Sequence, residues 1–508
     1  MSALNITQHG SSSSPTSLTI SLALLHVFIV FVTQRFIRKR YRKILPPGPR
    51  GLPLLGNIYD IPQTAPWVTY RDLTDKYGDV VSIRLLGHPV IVLNSLAAVN
   101  DLLEKRSAIY SDRPAPVVSI SRTSVLIPCY TGSGASVSSH TTTTGAAPVA
   151  SSGNTFNLCL LRDQRNLREL IQLTLLNMGY GLPASDVTSH YADLLSDMDS
   201  GVSEAYHPTI FYIPWLRYLP RWLPGGTWKS GVQKWRLQAD SIREAPFMAA
   251  MKLVNNGTVE PSVLTELFGK LQSGETPGLD QEFVKAILGA IFTAGADTTS
   301  GSLFAFFCAM IIYPEVQKRA HEELDAVVGP DRLPEHSDRP SLPYISAIIK
   351  EVLRWHNLVP LGMSHRCMED NEYRGWVIPE DATILANVWA ILHDPERFPE
   401  PDEFRPERFL KDGQLDPDAF DPVTLGFGSG RRICPGRHFA EDALFINIAS
   451  VLHVFDILPA VDECGKPIPV EYTATSGLIS SVTPFQYSIR SRTSIAEGLV
   501  QEALGEEE

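Results

Sequence analysis

The chain has 508 residues, of which 44% are hydrophobic and 20% are charged, and its formal net charge is −12. This is the composition of a globular protein with enough apolar material for a large core. Because no long basic face offsets the acidic balance, nucleic-acid binding is excluded as a general function. The six cysteines form no CxxC pair and no Cys/His spacing for zinc, and they are too few for a disulfide framework. This usage favours a reducing compartment.

The amino-terminal region predicts a membrane anchor. The apolar run LTISLALLHVFIVFV is followed, after Thr33, by the basic stretch QRFIRKRYRK. A cleaved signal peptide has the opposite order, with its basic residues before the apolar run. The pattern therefore predicts a lumenal tail at 1–17, a single transmembrane helix at 18–37 and, by the positive-inside rule, a cytosolic body. The alternative is an amino-terminal helix that is buried in the fold.

The next stretch is rich in proline and then in β-forming residues. PPGPRGLPLLGN favours an extended, stiff backbone, so we predict a basic and proline-rich hinge at 38–57, with a plain linker as the alternative. KYGDVVSIRLLGHPVIVLNS contains two β-rich runs that are split by Gly87, His88 and Pro89, which predicts a hairpin.

Helical patterns dominate the rest of the chain. Residues 280–312 form a long and mostly apolar pattern, which predicts a helix through the middle of a large domain. Further helices are predicted in EVQKRAHEELDAVV, SLPYISAIIKEVLRWH and PGRHFAEDALFINIASVLHVF, with short strands around YRGWVIPEDATILANV. We therefore predict a mainly α fold with small β-sheets, in one large domain at 58–490 that is followed by an acidic tail at 491–508.

One solitary cysteine lies in an unusual loop, FGSGRRICPG, just before a predicted helix. The adjacent Arg431 and Arg432 and the helix amino terminus are expected to lower the pKa of the Cys434 thiol. The glycines allow the backbone to approach a flat object closely. Such a thiolate is a nucleophile, for which only His438 offers a nearby base, or an axial metal ligand. The alternative is a structural cysteine in a glycine-rich turn.

Two further motifs lie on predicted helices. AGADTT places Asp297 and Thr298 in the middle of the long apolar helix. Burial of an unpaired carboxylate costs free energy, so an aspartate at this position calls for an explanation. It is either an acid–alcohol pair for proton delivery, or an aspartate that faces a wet cavity or a helix kink. Glu351 and Arg354 form an i,i+3 pair, which by itself is a common surface feature.

The cysteine loop resembles the haem-binding loop of the cytochrome P450 family, whose pattern is FxxGxRxCxG. Phe427, Gly430, Arg432, Cys434 and Gly436 match every fixed position. The resemblance implies a cytochrome P450 fold with a single large haem domain after the membrane helix. It also implies haem b as cofactor with Cys434 as the thiolate ligand of the iron. The expected reaction inserts one oxygen atom of O2 into a small apolar organic substrate.

The same resemblance implies roles for residues outside the loop. Proton delivery during dioxygen activation falls to Asp297 and Thr298. Haem propionates are expected to bind three candidates, Arg113, His365 and Arg432. A structural triad beneath the haem is expected to contain Glu351, Arg354 and, from the PERF motif, Arg408.

The resemblance covers 46–113 and 170–485 and is interrupted between them. The family's helix with a WRxxR-type pattern is not found at 114–169, and the low-complexity run TGSGASVSSHTTTTGAAPVASSG stands there instead. We predict that this aberrant segment is partly disordered. Intron or frame-shifted sequence in place of an exon is one explanation, and decay of the gene is the other. Both predict weakened haem binding.

The chain lacks a glycine-rich dinucleotide motif and a reductase-sized extension. The electrons are therefore expected from a separate NADPH-dependent flavoprotein reductase on the endoplasmic reticulum membrane. EYTATSGLISS and TPFQY resemble fungal microsomal members, a group that includes O-methylsterigmatocystin oxidoreductase, which suggests secondary metabolism or xenobiotic oxidation. Two alternatives are a haem-thiolate isomerase or dehydratase that needs no electrons, and a degraded protein with impaired haem binding.

Overall fold

Helices make up most of the chain that the structure describes. The computed structural model describes residues 45–114, 164–183 and 228–505, apart from Leu54, Gln63, Glu275 and Pro277. The helices are α1 (Pro66–Asp72), α2 (Thr74–Tyr77), α3 (Leu96–Val99), α4 (Ser107–Tyr110), α5 (Gln164–Tyr180), α6 (Trp228–Asn256), α7 (Val263–Ser273), α8 (Gln281–Ile312), α9 (Pro314–Val327), α10 (Pro343–Trp355), α11 (Val388–Leu392), α12 (Val423–Gly426), α13 (Arg437–Val454) and α14 (Ser494–Gly505). A π turn, Asn100–Glu104, continues α3, and short 3₁₀ turns occur at Ile58–Asp60, His336–Ser341, Pro406–Phe409 and Gly430–Arg432.

The described strands form four small sheets. They are β1 (Val80–Leu85), β2 (His88–Leu93), β3 (His365–Arg366), β4 (Asn371–Tyr373), β5 (Trp376–Ile378), β6 (Thr383–Ala386), β7 (Leu410–Lys411), β8 (Gln414–Leu415), β9 (Phe455–Pro459) and β10 (Tyr487–Ser491). The largest sheet has the order β1-β2-β6-β3, and the others pair β4 with β5, β7 with β8, and β9 with β10. The mainly α architecture with small sheets is confirmed.

The predicted hairpin is β1 with β2, which pair in antiparallel register with Val80 opposite Leu93 and Leu85 opposite His88. The turn comprises Leu86 and Gly87, whose φ angles are +53° and +87°. Two positive φ angles match the twist of the flanking strands, which explains why two residues suffice. His88 therefore begins β2 and lies outside the turn.

Helix α8 is the predicted long central helix. Its amino terminus is capped by Asp280, whose carboxylate accepts a hydrogen bond of 2.7 Å from the backbone N–H of Phe283. Pro314 begins α9, because proline is tolerated only in the first turn of a helix. Within the described residues, α8 is the one helix long and apolar enough to cross a membrane, but 67% of its most apolar window is buried inside the protein.

The main core surrounds α8. This helix packs against α5, α6, α10 and α13, and three of its phenylalanines, Phe292, Phe306 and Phe307, are almost fully buried. Burial of apolar area at this density is the main favourable term in folding. Helix α8 is therefore held by its neighbours on most sides, as its continuous apolar sequence predicts.

The proline-rich stretch is docked on the body from residue 46 onward. The backbone N–H of Ser82 in β1 donates to the carbonyl oxygen of Pro47 (2.8 Å), and the Ser82 hydroxyl donates to that of Pro46 (2.6 Å). A Cβ atom on Gly48 would lie 1.8 Å from the Ser82 carbonyl oxygen. The stiff backbone thus follows the edge of β1.

The predicted acidic tail also has a different structure. Residues Ser494–Gly505 form α14, and the hydroxyl of Thr493 accepts a hydrogen bond of 3.0 Å from the backbone N–H of Ala496. Ala496 and Val500, four residues apart on one helix face, are buried against the core. The apolar face of this segment therefore makes it part of the folded domain.

Several predictions fall outside the described residues. They are the lumenal tail at 1–17, the membrane helix at 18–37, the first part of the hinge at 38–44, and residues 115–163 of the aberrant segment 114–169.

A buried histidine gives the fold a pH dependence. Burial, followed by the nearby charge of Arg354, lowers the pKa of His393 from 6.5 to about 3. As the pH falls below about 6.5, the unfolded chain binds a proton that the folded chain does not, so the folded state loses stability. His393→Gln, which keeps a donor for the Trp389 carbonyl, should reduce the loss of unfolding free energy between about pH 7 and about pH 5 by about 2 kcal/mol. Urea unfolding at both pH values measures this difference, and an unchanged pH dependence contradicts it.

Candidate functional site

The cysteine loop connects α12 to α13 through two left-handed glycines. Gly428 and Gly430 have φ angles of +83° and +60°, which other residues adopt only with strain. The loop closes on itself, since the backbone N–H of Cys434 donates to the carbonyl oxygen of Phe427 at 2.8 Å. Gly436 caps the amino terminus of α13. A Cβ atom there would lie 3.8 Å from the Cys434 Sγ, which is an ordinary contact.

The immediate surroundings of Cys434 differ from those predicted. Burial raises the pKa of its thiol, and the backbone N–H of Gly436 and the charge of Arg437 oppose this effect. The predicted source of positive charge was Arg431 and Arg432, so that part of the prediction is corrected to Arg437, which is the first residue of α13. The predicted lowering of the pKa of the Cys434 thiol is therefore not found in the protein without a bound group.

Two arginines of the predicted propionate group lie on one side of the loop. Arg113 donates through Nη1 to the carbonyl oxygens of Met363 (2.5 Å) and Ser364 (2.8 Å). Arg432 donates through Nε to the carbonyl oxygen of Ser111 at 2.7 Å. Both guanidinium groups are thus fixed by backbone carbonyls.

His365 completes this group as a neutral side chain. Its Nδ1 lies 2.6 Å from the carbonyl oxygen of Tyr110, which can only accept, so Nδ1 carries the proton. Burial, then the charges of Arg113 and Arg432, lowers the pKa of His365 to about 3. The structure brings the three predicted residues together, and the positive charge of the cluster comes from the two arginines.

Asp297 and Thr298 lie in the middle of α8, the helix that packs against α13. The Thr298 hydroxyl donates to the carbonyl oxygen of Ala294 at 2.8 Å. Asp297 Oδ1 lies 3.6 Å from Arg168 Nε on α5, and the two side chains are 13% and 29% exposed. Sequence reasoning did not find Arg168, because only the packing of α5 on α8 brings these residues together.

The predicted structural triad is fully buried. The Glu351 carboxylate accepts from Arg354 Nε (2.7 Å) and Nη2 (2.8 Å), and from Arg408 Nε (3.1 Å). Glu351 and Arg354 are 0% exposed and Arg408 is 7% exposed. The backbone N–H of Arg405 also donates to Glu351, at 2.7 Å. This interior location excludes the alternative of a solvated surface pair.

The described residues fit haem as the bound group. No cluster of three or more His, Cys, Asp or Glu side chains that could hold a metal ion occurs within 45–114, 164–183 and 228–505. Haem would bring its own ring ligands to the iron and would need no such cluster. Arg432, which is held by the Ser111 carbonyl, and Arg113, which is held by the Met363 and Ser364 carbonyls, carry charge that suits the haem carboxylates.

Comparison with known proteins agrees with this chemistry. The family model described as Cytochrome P450 matches residues 46–125 and 164–486. The break at 126–163 lies inside the segment 114–169 that the sequence predicts to depart from the family.

Curated relatives match over nearly the whole chain. Cytochrome P450 monooxygenase ple1 of Rhodocybe pseudopiperita is 36% identical over 91% of this chain and 92% of its own length. Cytochrome P450 monooxygenase 208 of Postia placenta is 36% identical over 94% and 96%. Cytochrome P450 monooxygenase COX1 of Coprinopsis cinerea is 34% identical over 96% and 100%. The family match and these alignments show that the chain belongs to the cytochrome P450 family.

Proposed function

We propose that this protein is a haem-thiolate monooxygenase that inserts one oxygen atom of O2 into a small apolar organic substrate. The observation that carries the proposal is the half-buried Cys434 in a loop beside two fixed guanidinium groups, in a chain that belongs to the cytochrome P450 family. Its relatives are named monooxygenases, which supports an oxidoreductase that incorporates oxygen. When bound, haem supplies the redox-active iron at which dioxygen is activated.

The proximal residues hold and tune the thiolate in this proposal. The backbone N–H of Gly436 and the charge of Arg437 both act to lower the pKa of the Cys434 thiol. Both stabilise the anionic form of the ligand. Arg113 and Arg432, whose guanidinium groups are held in place by backbone carbonyls, would supply the positive charge that faces the propionate carboxylates.

The distal residues supply protons. Asp297 holds its carboxylate 3.6 Å from the guanidinium of Arg168. Thr298 carries a hydroxyl proton that currently points to the Ala294 carbonyl. Rotation about χ1 redirects this hydroxyl. The Asp297 carboxylate would take up a proton from solvent and pass it on through the Thr298 Oγ, which regains its own proton in the same relay.

The electron donor and the cellular location are also proposed. A separate NADPH-dependent flavoprotein reductase is the donor, because the chain has no dinucleotide-binding motif. The predicted helix at 18–37 and the basic residues behind it favour a single-pass anchor in the endoplasmic reticulum membrane with a cytosolic haem domain. We also propose a role in secondary metabolism or xenobiotic oxidation, which rests on the resemblance of EYTATSGLISS and TPFQY to fungal microsomal members of the family.

One observation favours a second outcome, a family member with impaired haem binding and no activity. The family match omits residues 126–163, where the sequence shows no WRxxR-type pattern. The reduced carbon-monoxide difference spectrum of the expressed protein decides between the two. A thiolate-type Soret band supports the monooxygenase, and its absence supports the impaired protein.

Thr298→Ala tests the proton pathway. We expect the variant to consume NADPH with a flavoprotein reductase and an apolar test substrate, but to convert roughly 10²-fold less of that NADPH into oxidised product, since a positioned proton donor contributes about this factor. Hydrogen peroxide should account for the NADPH that is consumed without oxidised product.

The matched control is Thr293→Ala, one turn earlier on α8. Its hydroxyl also donates to the carbonyl four residues before it, at 2.7 Å. Equal coupling in both variants would contradict the assigned role. Turnover without added reductase would instead favour the isomerase or dehydratase alternative.

A further inference from the structure

The cysteine loop is anchored by a carboxylate from a distant part of the chain. The backbone N–H of Gly430 donates to Glu104 Oε2 at 2.5 Å, across 326 positions of sequence. Glu104 is the last residue of the π turn Asn100–Glu104, and its side chain is exposed at the surface of the domain. It lies outside the loop pattern that carries the family resemblance.

The backbone of this π turn also fits closely against the loop. A Cβ atom on Gly430 would lie 2.2 Å from the Leu103 carbonyl oxygen and 3.1 Å from the Ser107 Cβ. Eight residues after Leu103, the Ser111 carbonyl accepts from Arg432 Nε at 2.7 Å. Residues 103–111 therefore contact the loop at two points, one on each side of Arg431.

Glu104 lies at the end of the π turn and is followed by Lys105. The backbone N–H of Lys105 donates to the carbonyl oxygen of Asn100 at 2.9 Å, five residues earlier. The extra residue in this turn rotates the following side chains by about 100° relative to a regular α-helix. Lys105 is bound by Asp101 at 2.9 Å, so Glu104 is not drawn into that neighbouring ion pair.

The loop needs an external anchor because its own bonds are few. Gly428 and Gly430 both have positive φ angles, and glycine has more backbone conformations open to it than any other residue. Within the loop, the N–H of Cys434 donates to the Phe427 carbonyl (2.8 Å) and the N–H of Ile433 donates to the Gly430 carbonyl (3.2 Å), but neither bond engages the N–H of Gly430, which donates to Glu104. An acceptor on Gly430 N–H restricts the middle of the loop, and a charged acceptor does so more strongly than a neutral one.

We propose that Glu104 is a positioning residue for the haem-ligand loop, which holds Gly430, and through it Cys434, in the geometry for thiolate ligation. The proposal rests on the proposed function for the role of Cys434 but not for the contact itself. Glu104 acts on the backbone of the loop and touches neither the sulfur nor the substrate. The sequence between β2 and β3 thus contributes to the proximal side of the site as well as to the propionate cluster.

The first test needs no haem. In the full-length protein without added haem, hydrogen–deuterium exchange at the Gly430 amide is measured by mass spectrometry with residue-level fragmentation. We expect roughly tenfold faster exchange in Glu104→Ala, and a change of less than about twofold in Glu104→Gln, which keeps an acceptor oxygen. The matched control is Glu372→Ala, an exposed glutamate on the nearby strand β4, which should exchange like the wild type.

The second test uses the haem-loaded protein. The thiolate-type Soret band of the reduced carbon-monoxide complex should decay roughly tenfold faster in Glu104→Ala than in the wild type, with rescue by Glu104→Gln. If Glu104→Ala does not fold, Glu104→Asp, which withdraws the carboxylate by one methylene, serves in both tests. Unchanged Gly430 exchange in the alanine or aspartate variant, an equal loss in Glu104→Gln, or an equal loss in Glu372→Ala overturns the proposal. If the wild type shows no thiolate-type Soret band but the Gly430 amide exchanges as expected in the variants, the proposed function is overturned and the positioning role of Glu104 is supported.

Discussion

Cys434→Ala is expected to abolish the thiolate-type Soret band of the reduced carbon-monoxide complex, while the polypeptide remains folded. The Cys434 side chain is small and half-buried. The hydrogen bond from the Cys434 backbone N–H to the Phe427 carbonyl does not involve the sulfur. Removing the thiol therefore removes the only protein ligand assigned to the iron and leaves the loop backbone in place. Far-UV circular dichroism should match that of the wild type, and monooxygenase turnover should fall below detection.

The control for this variant is Cys464→Ala. Cys464 is an exposed cysteine in the turn after β9, far along the chain from the loop, and it bears the same thiol chemistry without the surrounding donors. We expect it to keep the full band. Retention of the band in Cys434→Ala, or its loss in Cys464→Ala, would show that Cys434 is not the ligand. Buried Cys308 and Cys367 are the next candidates in that case.

Glu351→Gln is expected to lower the free energy of unfolding by about 3–5 kcal/mol, which is the usual cost of removing one partner from a buried ion pair. The substitution keeps the shape of the side chain but removes the anion that faces Arg354 and Arg408, both almost fully buried. Two guanidinium groups would then share the interior without a counter-charge. Urea unfolding of the variant, followed by circular dichroism, measures the loss.

Asp456→Asn provides the matched comparison at the surface. Asp456 accepts from Arg490 at 2.9 Å, but the arginine is 70% exposed, so solvent screens the pair. We expect this variant to lose less than about 1 kcal/mol. If Glu351→Gln is no more destabilising than Asp456→Asn, the triad does not stabilise the fold. The role assigned to it through the family resemblance then fails as well.

Contacts between residues far apart in sequence account for the differences between prediction and structure. The pairing of Arg168 with Asp297 depends on how α5 packs on α8, and the bond from Gly430 to Glu104 depends on the position of a π turn more than 300 residues earlier. Neither contact has a periodic or spacing signal in the sequence. Tertiary packing also decides two further contacts. Pro46 and Pro47 dock on β1, and α14 docks on the core.

Local chemistry alone determined the fold class, the central helix and the positions of the main motifs. The apolar run at 280–312, capped by Asp280 and followed by Pro314, defines a buried helix through propensity, capping and burial, which act over a few residues. The loop with Cys434 was likewise evident from its glycines and arginines. Only the tertiary structure decided the electrostatics around these motifs. Burial raises the pKa of the Cys434 thiol and lowers that of His365, and Arg437, not Arg431 or Arg432, is the cation that acts on the sulfur. The reason is that desolvation and charge–charge interactions depend on distance and burial in space, which residue order does not specify.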